Sequence, residues 1–281
     1  KKRKYRVQYG ESDHAFLSRM LEDAGICYYF EQEGEETKLV LADAPQRNPP
    51  RDATIPHVDN PSSTPGREWL TRLNVGRRVR PGKYTVRDHD YRKSPAYPLL
   101  ASAADGLGIE SRLERFHYNP GAFLFRSEKG EDSPNADDRG KTRTDEKEGA
   151  AQAQRRLAAK RSSAKRVSFE SNVIALAPGQ VARFGDHPRN DVTDAQGYLV
   201  LETSMHGEHD SEWSVYAEAV SAAQPYHPPS KTPKPTAVGV ESATVVGPAG
   251  EEIHTDEFGR VRVHFHWDRE SKMDDNSSCW I

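Results

Sequence analysis

The densest group of side chains able to do chemistry lies near the C-terminal end. His254, His264 and His266 stand close in sequence to Asp256, Glu257 and Asp268. Imidazoles and carboxylates are the ligand types of zinc or non-haem iron. The spacing argues against a metal here. Val261, Val263, Phe265 and Trp267 alternate with Arg262, His264 and His266. That is the period of a strand with one apolar and one polar face. Arg262 would share the polar face with two histidines, and a fixed cation opposes a divalent ion there. The expectation is a polar outer face, with no metal and no cofactor. The apolar row would line the inside of a small barrel, so that Phe265→Ala would cost about 3–5 kcal/mol.

Other chemistries find no anchor. No G-x-S-x-G sequence is present to hold a nucleophilic serine on a strained turn. Gly247, Gly250 and Gly259 do not form a phosphate-binding loop, since no G-K-[ST] follows. Glu251-Glu252 reads as a solvated turn. Carboxylates are too common to single out a glycosidase pair. Basic residues gather at 1–4, 77–80 and 155–166, but the net charge of −3 creates no global field toward nucleic acid or a membrane surface. Cys27 and Cys279 stand far apart with no second thiol nearby, so they read as ordinary buried thiols. No catalytic residue is assigned.

The elements that would position these groups are mostly strands. Ser12 can cap a helix over residues 13–24, whose Phe16, Leu17, Met20, Leu21 and Ala24 fall on one face. Gly25 ends it. Residues 26–31 and 37–42 read as a hairpin with an acidic turn at 33–36. Residues 45–65 read as loop. Strands are expected at 69–79 and 83–89, the second at an edge or under another chain. Residues 129–147 are charged and nearly free of large apolar residues, as in a mobile insertion. A helix with a narrow buried face around Leu157 is expected over 150–165. Strands follow at 166–177, 180–184, 198–205, 214–222, 243–246 and 260–267. Five prolines between 225 and 235 mark a stiff linker. A hairpin is expected from 253 to 267, turning at 256–259.

The 281 residues suffice for about two domains. With 35% apolar and 30% charged residues the chain is poor in core material, so part of its stability is expected from partner subunits. No run of about 18 apolar residues is present. No apolar stretch follows the basic residues 1–6, so no signal peptide is expected. The chain starts without Met and ends in an expected strand, as in a fragment of a longer polypeptide.

Two blocks carry a family resemblance. The first runs Gln8-Tyr9-Gly10-Glu11-Ser12-Asp13, then Phe16-Leu17-Ser18-Arg19, then Glu22 to Phe30, then Leu39-Val40-Leu41-Ala42-Asp43. The second runs Val245-Val246-Gly247-Pro248-Ala249-Gly250-Glu251-Glu252-Ile253, then Thr255 to Val261, His266-Trp267-Asp268-Arg269 and Ser277-Ser278-Cys279-Trp280-Ile281. Together they resemble the VgrG spike proteins of type VI secretion, relatives of the tail hub and spike of contractile-tailed phages. The resemblance implies a mainly β fold with a few helices. Tail-hub-like β-barrel domains would fill residues 1–224, a Pro-rich linker 225–240, and the truncated start of an OB-fold barrel 241–281. Gly247, Asp256, Phe258, Gly259, Phe265 and Trp267 would be the structural motif of that start. The resemblance also implies a homotrimer that docks on the hexameric tube protein, with a tip protein and effectors beyond this piece. It implies transient contact with a target membrane, and a path from the bacterial cytoplasm out through the apparatus. No nucleic acid is expected, and no catalysis. The alternatives are a hydrolase whose catalytic domain lies outside this chain, or nucleic-acid binding by the OB-like segment. The second is weakened because Phe265 and Trp267 share the face expected to be core.

Overall fold

A computed structural model describes residues 6–61, 66–90, 94–123, 145–193, 195–210, 212–256 and 259–281. Among the described residues the fold is mainly β with two α-helices, and its sheet curls into a half-barrel. None of the described helices is long and apolar enough to cross a membrane.

Helix α1 (Asp13–Ala24) begins and ends where its signals stand. Ala15 N–H donates to the Ser12 side chain at 3.2 Å, and Gly25 takes a left-handed φ of 75°. Its burial differs from expectation. Leu17 is exposed and the buried residue is Arg19. Arg19 donates to both oxygens of Glu11 and to the Val7 carbonyl, so its charge goes under cover already paired.

Strands β1 (Cys27–Glu33) and β2 (Glu36–Ala42) form a hairpin with Gly34-Glu35 at its tip. Gly34 has φ 62° and Glu35 is not left-handed, the pattern of a tight type II′ turn. Residues expected to be loop contribute β3 (Ile55–Pro56), which pairs in parallel with β10 (Phe184–Gly185). Two residues are too few for periodicity to reveal, yet Ile55 is fully buried in the main core.

That core lies on a five-stranded sheet. Its order is β4 (Leu70–Arg77), β8 (Lys165–Ser171), β12 (Ser214–Ser221), β11 (Tyr198–His206) and β9 (Val181–Ala182). Phe184 stacks on Tyr198 at 4.9 Å and meets Phe169 edge-on. Strand β8 ends at Ser171 rather than near 177, where the Ser171 hydroxyl donates to the Trp69 carbonyl at 2.6 Å.

A second sheet has the order β6 (Leu99–Ala104), β5 (Lys83–Asp88) and β7 (Glu114–Tyr118). Strand β5 is therefore central, which overturns the edge alternative and leaves the covering by another chain as the other reading of its poor alternation. Its irregular pattern has a local cause. Asp88 is buried and accepts from Gly121 N–H and Phe123 N–H, at 2.9 and 3.0 Å. Helix α2 (Glu146–Arg161) covers this sheet, burying Ala153 and Leu157 against Tyr84, Val86, Leu99 and Phe123. It starts four residues before the expected 150, because Asp145 caps it by accepting from Glu148 N–H. The end of the expected insertion is thus helix start, while 129–144 lie outside the described residues.

Strands β13 (Ala243–Val246) and β14 (Arg262–Phe265) pair antiparallel near the C-terminal end.

Candidate functional site

The C-terminal strand pair carries the residues singled out from sequence. Gly247 follows β13, and a Cβ there would lie 2.7 Å from the Cβ of His254, so only glycine allows the approach. Gly259 has φ 73° and open space around it, so the backbone angle alone calls for glycine. Its N–H donates to the Asp256 carbonyl at 3.0 Å, and Asp256 N–H donates to the Arg260 carbonyl at 3.2 Å. The Asp256 carboxylate also accepts from Arg260 N–H and Nε at 3.0 and 2.6 Å. A backbone hydrogen bond thus joins Asp256 and Gly259, the two described ends of the expected turn. The ladder it serves joins 243–246 to 262–265, not the residues immediately flanking the turn. Phe258 and Glu257 lie outside the described residues.

The apolar row is only partly inside. Val263 and Val246 are buried, Phe265 is half-buried and Trp267 is 43% exposed. The supposed outer face is partly covered instead. Arg262 is buried, donates to the Asp275 carbonyl and lies 4.5 Å over the Trp280 ring. Val261 and Ile281 exchange two backbone hydrogen bonds, at 3.1 and 3.0 Å, and Val263 N–H donates to Ser278 Oγ. The segment ending at Ile281 thus folds back over β14 and takes Arg262 with it.

The histidines do not converge. His254 meets Glu251 at 3.1 Å, His264 meets Ser271 at 2.7 Å, and His266 faces solvent. Among the described residues no group of three or more His, Cys, Asp or Glu side chains could hold a metal ion.

Trp267 has another role. Its ring stacks on Phe265 at 5.1 Å and meets Tyr9 edge-on at 5.5 Å. Trp267 Nε1 donates to one oxygen of Glu241, and the Tyr9 hydroxyl donates to the other. The hydrogen bond to Glu241 raises the Tyr9 pKa, helped by burial. One carboxylate thereby ties the N-terminal segment to the C-terminal strand pair. Periodicity cannot show this link, since its partners are more than 200 residues apart.

The Pro-rich segment is strapped to helix α1. The Glu22 carboxylate accepts from Lys231 N–H, Thr232 N–H and the Thr232 hydroxyl, all at 2.9–3.0 Å. His227 Nδ1 lies 2.9 Å from the Gly25 carbonyl, and Tyr226 N–H donates to Gln46. Proline composition signals the stiffness but not the strap.

This arrangement offers hydrogen-bonded junctions between segments distant in sequence. Residues 1–211 match the model of the phage tail baseplate hub (GPD) family. The chain belongs to that family. Its hub-family segment makes up three quarters of the chain, and longer matches extend over the remainder. The type VI secretion system spike protein VgrG1a of Pseudomonas aeruginosa is 32% identical over 99% of this chain and 41% of its own length. VgrG1b of the same organism is 31% identical over 99% of this chain and 36% of its own length. The chain therefore spans about two fifths of the length of these relatives. An E. coli type VI secretion component, described as similar to the T4 bacteriophage tail proteins gp27 and gp5, shares the fold with a TM-score of 0.56. It is 17% identical, and the match covers 92% of this chain and 50% of that one. Tail hub and spike proteins are structural parts, and this hub-family chain is similar to them across nearly its whole length.

Proposed function

We propose that this chain is the lower hub and the first part of the spike barrel of a type VI secretion spike protein. Residues 1–224 form the hub portion, 225–240 strap it, and 241–281 open the OB-type barrel. The identity to P. aeruginosa VgrG1a, running through both the hub part and the C-terminal strand pair, carries this reading. The full-length protein is a homotrimer that docks on the hexameric tube protein and carries a tip protein and effectors. Contraction drives it through a target membrane, and it leaves the cell through the apparatus. Its action is mechanical and requires no catalytic group of these residues. Gly247, Asp256, Gly259, Phe265 and Trp267 set the turn and packing of the barrel start, with Phe258 beside them in sequence.

Deleting the gene in its host tests the reading. Tube protein should disappear from the culture medium while remaining in the cells, and the intact gene should restore its release. Unchanged release in a host with no second spike gene would overturn the proposal.

A further inference from the structure

Two apolar sheet faces on this chain are open to solvent, and they differ in charge. In the hairpin, Tyr28 stands opposite Leu41 and Phe30 opposite Leu39, so all four side chains project from one face. They are 41–58% exposed. Scattered exposed apolar residues need no explanation, but four contiguous ones on one small sheet do. The hairpin itself is not loose. Its other face is held by Tyr29, which packs closely over Gly179 and accepts a hydrogen bond from Asn48 at 2.7 Å. Glu31, Glu33, Glu35 and Glu36 surround its tip, with Lys38 the one cation of that stretch.

The second face belongs to the sheet β6–β5–β7, on the side away from α2. Arg87 stands in register between Leu100 and Tyr118, and Thr85 stands beside Phe116. Leu100, Phe116 and Tyr118 are 51–54% exposed. Lys83 is matched by Glu114 at 3.0 Å, but no described carboxylate lies within ion-pair distance of Arg87. One face is thus apolar with an acidic end, and the other is apolar with an unmatched arginine at its centre.

We propose that these two faces meet between copies of this chain, the β1–β2 face of one copy against the β6–β5–β7 face of the next. The inference rests on the trimer reading above and names its contact. A ring of three copies cannot be closed by a self-complementary patch, because each copy must offer one surface forward and a different one backward. The chain carries two such surfaces, apolar in the middle and complementary in charge. Bringing them together would place the acidic hairpin tip near Arg87.

Cysteine cross-linking on the full-length protein tests this. The variants are Leu39→Cys, Leu100→Cys and the double substitution, each treated with a short bifunctional maleimide beside the wild type as control for Cys27 and Cys279. The double variant should give covalent dimers and trimers, and the two single variants should match the wild type. Single variants mixed with each other should cross-link to dimers after dissociation and reassembly. If the wild type is a monomer in solution, the trimer reading itself fails. If it is a trimer and the double variant links no better than the wild type, the trimer stands and the paired faces are wrong. Cross-linking of Leu39→Cys to itself would likewise refute the head-to-tail contact.

Discussion

Burial and hydrogen bonding set the behaviour of single residues here. Burial pushes the Cys27 thiol up to about 11, and its Sγ donates to the Ala42 carbonyl at 3.2 Å. Only the thiolate reacts, so alkylation of Cys27 near pH 8 should be ~100-fold slower in the folded than in the unfolded protein. Mass spectrometry of iodoacetamide-treated protein, with and without urea, measures this. Equal rates would place Cys27 in solvent. Glu11 behaves in the opposite sense. The hydrogen bonds from Arg19 hold its carboxyl below the usual range. A depressed carboxyl stabilises the fold above its ordinary pKa, and that contribution is lost as pH falls through the lowered value. Glu11→Gln should therefore melt at a lower temperature than wild type at pH 7, and the gap should narrow toward pH 3. A constant gap would mean that the charge of Glu11 does not matter. Phe265 is half-buried rather than enclosed, so Phe265→Ala should cost about 1–2 kcal/mol, less than a fully buried ring would.

At the scale of elements, legibility followed the length of the local signal. Helix α1 and the hairpin were readable because a cap, an apolar run and a turn glycine all fall within a few residues. Strand β13 matched residue for residue. Strands β6 and β7 were not seen, since Leu99–Ala104 is alanine-rich and every residue of Glu114–Tyr118 is exposed. The central place of β5 was hidden for the same reason, its neighbours being unreadable. The left-handed Gly259 and its bond to Asp256 fall where the sequence suggested a turn, while the anchoring of Trp267 on Tyr9 and Glu241 was not legible, because it depends on contacts distant in sequence. The strap by Glu22 belongs to this class too. Glu22→Ala removes three hydrogen bonds to 231–232. Trypsin should then cut faster after Lys231, and unchanged cleavage would show that proline stiffness alone holds the segment. Helix α2 offers a sharper test of packing. A Cβ on Gly149 would fall 2.0–2.5 Å from the Phe123 ring, which is fully buried. Gly149→Ala should cost about 1–3 kcal/mol by chemical denaturation despite the better helix propensity of alanine. A stabilised variant would contradict the close contact.

At the scale of the whole molecule, the proposed association would account for both the low apolar content and the open apolar faces. The three core clusters lie on the five-stranded sheet, beneath α2 and along β9, β11 and β12, while Leu39, Leu41, Leu100 and Phe116 remain outside them. A polypeptide that completes its burial by association needs fewer apolar residues inside each copy. The homotrimer proposed above would complete burial in this way. The most direct measurement is the mass of the full-length protein in solution, by light scattering at micromolar concentration. The proposed function predicts three times the mass of one polypeptide, and a clean monomer would contradict it.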